Sequence, residues 1–195
     1  MSSLSQKLTA MGLRSLDFNQ AEAASLDALL SQLDTEFATL QQQRPNSKGD
    51  DLLLGLMTKT HLSALEQLQS TDSQSQAMNH LFVQQVGEEH AARFENQHHG
   101  YFILVTRLWM LVLGYLQIDL SYAADHAQSS ATLLFADAPT GPSHSRAEQI
   151  RRRFMQAYYQ GQAAARHNAK NTKQNKPYGS FINRLRDWFQ RVFHR

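Results

Sequence analysis

The sequence predicts an all-α protein: a bundle of about five helices around a central apolar helix, followed by a polar linker and a C-terminal amphipathic helix. The 195 residues include only nine Gly and four Pro, which are few for a chain of many short strands and tight turns. Apolar residues also recur at helical spacing along much of the chain. Finally, residues 101–120 are apolar almost all round, as in the helix at the centre of a bundle.

The length and composition fit one domain of ordinary size with a tail. With 42% hydrophobic residues, the chain can bury a core, which argues against wholesale disorder. We assign residues 1–160 to an acidic helical bundle domain, 161–179 to a basic polar linker and 180–195 to a basic amphipathic helix. The absence of cysteine excludes a disulfide framework, thiolate metal ligands and a cysteine nucleophile.

The first helix is predicted to begin at Asn19, which can cap it while Glu22 completes a capping box. Steps of three and four residues then place one apolar stripe on this helix, made of Leu26, Leu30, Leu33, Phe37 and Leu40. The Pro, Asn and Gly of residues 44–49 predict a loop. A second helix follows, capped by Asp50 or Asp51.

The polar run of residues 70–75 predicts a connection between the second helix and a third. Within the third helix, Gly87 and Gly100 are weak points because glycine disfavours a helix interior. We expect Gly100 to end or bend it. Further along, the short apolar patch of residues 131–136 fits either a strand or one helical turn.

The apolar run of residues 101–120 is just long enough to cross a bilayer. Arg107 lies inside it, and a charge there is costly in lipid, so we interpret the run as the central helix of the bundle, with a membrane span or an interfacial segment as alternatives. Two roles are open for Arg107: a buried ion pair with a carboxylate such as Asp119 or Glu66, or contact with an anion or ligand in a pocket.

The last part of the bundle is predicted to open with a capping box made of Ser145 and Glu148. Residues 160–180 are polar and contain Pro177 and Gly179. They indicate a solvated linker whose first part extends the preceding helix.

Charge divides the chain into an acidic body and a basic end. Residues 1–150 carry 8 basic and 16 acidic side chains, a net charge of −8, whereas residues 151–195 carry 11 basic side chains and one acidic, a net charge of +10. A division of this kind predicts that the end of the chain meets something anionic.

Residues 180–195 form the clearest pattern in the sequence. On a helix, one face is bulky and apolar, and the other face carries four arginines. The apolar members are Phe181, Ile182, Leu185, Trp188, Phe189, Val192 and Phe193, and the arginines are Arg184, Arg186, Arg191 and Arg195. A helix this short forms only when its apolar face is covered. The cover could be its own bundle, a sister subunit, an anionic membrane surface or the groove of a protein partner.

Two further patterns predict alternative functions. Glu95 with His98 has the Glu-x-x-His spacing of helical metal sites, and His99 lies one turn from Glu95. These three residues are candidate metal ligands. The sequence contains no second such motif, so His61, His80 or the pair of Asp125 and His126 would have to supply further ligands by tertiary approach. The basic region around Arg151–Arg153 could attract nucleic acid, but it resembles no nucleic-acid motif, so we do not expect specific nucleic-acid binding.

The sequence contains no phosphate-binding loop, nucleophile elbow or zinc-protease motif, and we expect a non-catalytic protein without a cofactor. The leading hypothesis is an adaptor or assembly protein whose C-terminal helix docks on a membrane surface or a protein partner, with homo-oligomer formation left open. Because the N-terminal residues lack the apolar core of a signal peptide, we expect a cytoplasmic protein, peripheral at the inner face of the membrane where it docks.

Overall fold

The computed structural model of this chain describes the backbone of residues 3–18, 20–86, 88–134 and 142–171. Side chains are described for residues 3–18, 22–23, 25–68, 100–134 and 147–170. Within these ranges the protein is all-α, without a strand, which confirms the predicted fold class. The six α-helices are α1 (Leu4–Ala10), α2 (Gln20–Gln43), α3 (Gly49–Val86), α4 (Glu88–Tyr115), α5 (Leu120–Leu133) and α6 (Pro142–Asn171).

The N-terminal residues are more ordered than the sequence indicated. Ser3 caps α1 through a complete capping box with Gln6, and Leu4 and Leu8 are fully buried. A single 3₁₀ turn at Leu13–Ser15 then leads towards α2. Helix α2 begins at Gln20, directly after the predicted start at Asn19, but it is the second helix and not the first, because the capped helix α1 precedes it. Asn19 itself lies outside the described residues.

Two predicted helix boundaries do not occur. Helix α3 continues through residues 70–75, because this polar run contains neither Pro nor Gly to interrupt the backbone hydrogen bonds. Helix α4 likewise continues through Gly100, where a single glycine costs too little to end a helix supported by packing. The loop after Gln43 is confirmed, although α3 begins at Gly49, just before the predicted caps.

The apolar run of residues 101–120 ends its helix early, at Tyr115. Gln117 has a positive φ of 56°, and Asp119 caps α5 by accepting hydrogen bonds from the backbone of Ser121 and Tyr122. Residues 131–133 are the last turn of α5, so the helical interpretation of that patch is correct up to Leu133. Residues 135–141 lie outside the described part of the chain.

Helix α6 differs from its prediction at its N-terminal end and is longer than the predicted bundle domain at its C-terminal end. It begins at Pro142, a residue suited to the first helical turn because its missing N–H is not needed there, so Ser145 is inside the helix rather than its cap. It also continues to Asn171, and residues 161–171 extend the helix as the sequence allowed for the first part of this segment.

Helix α4 packs most extensively against α6 and α3, with further contacts to α2, while α5 packs on α6. The large side chains at these contacts are fully buried, among them Phe102, Trp109, Phe154 and Tyr158. Arg107 is buried in the same interior. The fold therefore places the charged side chain of Arg107 where its counter-charge must come from another helix.

Candidate functional site

The most highly charged group in the described interior is an ion cluster of Arg107, Glu22 and Arg153, which we call the α2–α4–α6 ion cluster. Arg107 Nη1 donates to Glu22 Oε2 at 3.0 Å, and Arg153 Nη2 donates to both Glu22 oxygens, at 2.8 and 2.6 Å. The Arg107 side chain is 0% exposed and that of Glu22 is 3% exposed, while the Arg153 side chain is partly exposed at 29%. The Glu22 carboxylate of α2 thus forms ion pairs with one arginine of α4 and one arginine of α6.

Burial is the main influence on the protonation of Arg107. It lowers the pKa of the guanidinium, and the nearby positive charge of Arg153 lowers this pKa further. Glu22 and Asp17 act in the opposite direction through their negative charges. A guanidinium does not lose its proton in proteins, so the cluster keeps its ionic character.

Only one of the three nitrogens of the Arg107 guanidinium is bonded. Nε and Nη2 are buried and have no hydrogen-bond acceptor among the described residues. The half-buried ring of Phe18 lies with its centroid 4.7 Å from Cζ of Arg107, which is a cation–π contact. The N–H bonds of Nε and Nη2 point outward from one edge of the guanidinium, in its plane.

The ion cluster corrects one prediction. Arg107 is buried and paired, as the sequence indicated, but its partner is Glu22 rather than Asp119 or Glu66. Asp119 instead caps α5, and its hydrogen bonds with Ser121 and with the backbone lower its pKa. Glu22 stands 85 residues from Arg107, and no spacing rule links positions so far apart, so the sequence offered no signal for this pair.

A second buried group contains rings from three helices, which we call the His61 cluster. His61 of α3 stacks on Trp109 of α4, with ring centroids 4.3 Å apart and planes 6° apart. His126 of α5 meets Trp109 edge-on at 5.3 Å. His61 Nδ1 lies 3.2 Å from Thr106 Oγ1, and the Trp109 indole donates to Thr58 Oγ1 at 3.1 Å.

The His61 cluster favours neutral imidazoles. Burial lowers the pKa of His61 from 6.5 to about 3, helped by the charge of His126. Burial also lowers the pKa of His126, against the raising effect of Asp125. The sequence identified these histidines only as ligands that a metal site would need by tertiary approach. The structure instead packs His61 as an aromatic ring.

Some basic residues of α6 form ion pairs, and others are exposed. Arg151 and Arg152 donate to Glu148 at 2.7 to 3.0 Å, and these bonds lower the pKa of Glu148 to about 2. Glu148 therefore binds two arginines instead of completing the predicted capping box. Near the end of α6, by contrast, Arg166 and Lys170 are exposed.

The side chains of the two predicted functional segments lie outside the described residues. The whole C-terminal candidate set is outside the described residues: Phe181, Ile182, Arg184, Leu185, Arg186, Trp188, Phe189, Arg191, Val192, Phe193 and Arg195. The candidate metal ligands Glu95, His98 and His99 are on α4, but their side chains are outside the described set. Among the described side chains, no three His, Asp or Glu residues gather closely enough to hold a metal. Both predictions stay predictions.

Two large apolar side chains are exposed on the neighbouring helices α5 and α6. Leu120 and Tyr159 are the two exposed large apolar side chains among those described, at 46% and 50%. They line the same open cleft between α5 and α6, together with Met155, Arg151 and Arg152.

None of the helices, over their described residues, has the length and hydropathy needed to cross a membrane.

Comparison with known proteins identifies no relative: no family model, no curated protein and no solved structure matches this chain.

Proposed function

We propose that this protein is a non-catalytic adaptor that attaches its helical bundle to an anionic membrane surface through residues 180–195. The observation that carries the proposal is the coincidence, in one terminal segment, of a face of seven bulky apolar residues and a face of four arginines. Interfacial membrane helices have this composition, because aromatic residues enter the headgroup boundary while arginines meet anionic lipid.

The ion pairs of α6 sharpen the charge argument. Arg151, Arg152 and Arg153 form ion pairs with Glu148 and Glu22, so each of them already shares a carboxylate within the bundle. The other eight basic residues after position 150 are accompanied by one acid, Asp187, and have a net charge of +7. Arg166 and Lys170 begin this set on the exposed end of α6, which supports a continuous basic region from that end to the C-terminus.

Packing of the bundle supports the same proposal. Helices α4 and α6 supply aromatic side chains of their own to the interior, namely Phe102, Trp109, Phe154 and Tyr158. Burying one bulky apolar side chain contributes about 1.5–3 kcal/mol before ordering costs. Seven such residues in the terminal segment could therefore hold a tether on a bilayer reversibly.

Vesicle co-sedimentation tests the proposal with full-length protein. We expect binding to vesicles of phosphatidylcholine with about one-third phosphatidylserine and little binding to pure phosphatidylcholine, with the affinity falling as salt rises. Replacing Trp188 and Phe189 by Ser should abolish binding. Replacing Arg184 and Arg191 by Gln should weaken binding roughly thirtyfold, at about 1 kcal/mol for each of the two charges.

The structure provides a matched control with the same change of charge. The double variant Arg151→Gln with Arg152→Gln also removes two positive charges, but from side chains that form ion pairs with Glu148 on α6. It should bind vesicles nearly as well as the wild type. Equal weakening by both pairs would indicate non-specific charge attraction and contradict docking by the terminal segment.

Deletion of residues 180–195 separates the membrane from other hosts. If full-length protein fails to bind anionic vesicles, the membrane proposal is wrong. A fall in solution mass from dimer to monomer on deletion would then identify a second copy of this chain as the host. Unchanged mass with a large loss of thermal stability would identify the segment as part of its own bundle.

A further inference from the structure

The strongest observation outside the terminal segment is the partly bonded guanidinium of Arg107. A buried charged group normally has its hydrogen-bonding positions filled, because each unpaired donor has lost its hydration without replacement. Arg107 is 0% exposed, yet only Nη1 reaches an acceptor, and Nε and Nη2 have none among the described residues.

These two nitrogens are on the same edge of the guanidinium. The N–H bonds of Nε and Nη2 point in parallel within the plane of the group, and this edge matches the two oxygens of a carboxylate. Glu22 does not occupy it, because its bond is to Nη1.

The charges at the ion cluster are also incomplete. Arg107 and Arg153 share one carboxylate, that of Glu22, which leaves one positive charge in this trio. Asp17 acts on Arg107 through its charge, but it is an exposed residue. A ligand with a single negative charge and two coplanar oxygens would complete both the charge and the hydrogen bonds.

We propose that the Nε–Nη2 edge of Arg107 binds a carboxylate anion through two parallel hydrogen bonds. The carboxylate class is favoured over phosphate because it is planar, compact and singly charged. Its source is either a free small carboxylate or the side chain of Asp17 moved inward, and the two have the same chemistry at the guanidinium. The proposal is independent of the C-terminal segment.

Solution NMR of the full-length protein tests it directly. The Nε–H resonance of Arg107, assigned by its loss in Arg107→Lys, should shift saturably as sodium acetate is added and stay in place with equal sodium chloride. Inorganic phosphate is the comparison probe. A larger or equal response to phosphate would overturn the carboxylate assignment, and so would an equal response to chloride.

Thermal unfolding provides a second readout and the matched variants. Acetate should raise the midpoint of wild-type unfolding in proportion to the logarithm of its concentration. Arg107→Lys keeps the charge but cannot form two parallel bonds, so its acetate affinity should fall at least roughly tenfold. Arg152→Lys, at an exposed side chain, should respond like the wild type.

Asp17→Asn distinguishes the two sources. If the ligand is free, wild type responds to acetate and Asp17→Asn responds at least as strongly, because a competing negative charge is gone. If Asp17 itself fills the edge, only Asp17→Asn responds, which still supports carboxylate binding at Arg107. An Arg107 Nε–H resonance that acetate moves in neither protein overturns the proposal, even if Arg107→Lys does not fold.

Discussion

At the scale of single residues, the histidine of the core behaves as an aromatic side chain. His61 lies flat on Trp109 and meets Phe102 at 5.6 Å, and burial lowers its pKa from 6.5 to about 3. The unfolded chain accepts a proton on this residue near pH 6.5, whereas the folded protein does not until the pH is far lower. Stability therefore depends on pH through this ring.

The sign of that dependence follows from linkage. Above pH 6.5 neither state binds the proton and the full stability is present. As the pH falls from 6.5 towards 3, the unfolded state alone gains a proton, and stability is lost at up to about 1.4 kcal/mol per pH unit. The lowered pKa of His126 adds a loss of the same sign.

We expect the free energy of unfolding to fall by roughly 2 kcal/mol between neutral pH and pH 5 through His61 alone. His61→Gln keeps a polar group near Thr106 but does not titrate. Its free energy of unfolding should therefore fall by less between neutral pH and pH 5. Urea unfolding at the two pH values measures both. His167→Gln, at an exposed residue, should reproduce the wild-type difference, and an unchanged difference in His61→Gln would contradict the assignment.

At the scale of elements, α4 and α6 approach each other closely through two glycines. A Cβ on Gly114 would lie 1.9 Å from the Tyr158 carbonyl oxygen, and one on Gly161 would lie 2.1 Å from that of Leu111. These neighbours are backbone atoms, which cannot turn aside as a side chain can. The sequence assigned no packing role to either glycine, because the reason for each is on the other helix.

Alanine at either position should therefore force the two helices apart. We expect Gly114→Ala and Gly161→Ala each to destabilise the protein by about 3 kcal/mol or more. Gly55→Ala is the control, since nothing lies within 4 Å of its added Cβ, and it should stabilise α3 by about 0.5–1 kcal/mol. Chemical denaturation of the three variants checks this, and a mild effect at Gly114 would contradict the close approach.

At the scale of the whole molecule, the α2–α4–α6 ion cluster connects distant parts of the chain. Glu22 binds Arg107 and Arg153, which are 85 and 131 residues away in sequence. The pairing requires that three helices be assembled, and it stabilises one arrangement of them. Its loss should be felt by the entire bundle rather than by one helix.

We expect Glu22→Gln to destabilise the protein by about 3–5 kcal/mol, because it leaves a buried guanidinium without its counter-charge. Combining it with Arg107→Met should recover part of the loss, since the uncompensated charge is then removed too. Differential scanning calorimetry would show the change in one transition. Glu148→Gln, at a partly exposed ion pair, should have a much smaller effect, and equal losses in the two would contradict the buried ion cluster.

The sequence by itself determined the helical class, the apolar stripe of α2, the loop after Gln43 and the burial of Arg107. These features depend on the spacing of residues within one helix or on the composition of a short run. They are therefore set by residues that are close together in the sequence. The continuation of α4 through Gly100, the glycine contact of α4 with α6, and the choice of Glu22 for Arg107 were decided by tertiary structure. Each depends on which atoms meet across helices, and that is a property of the assembled chain.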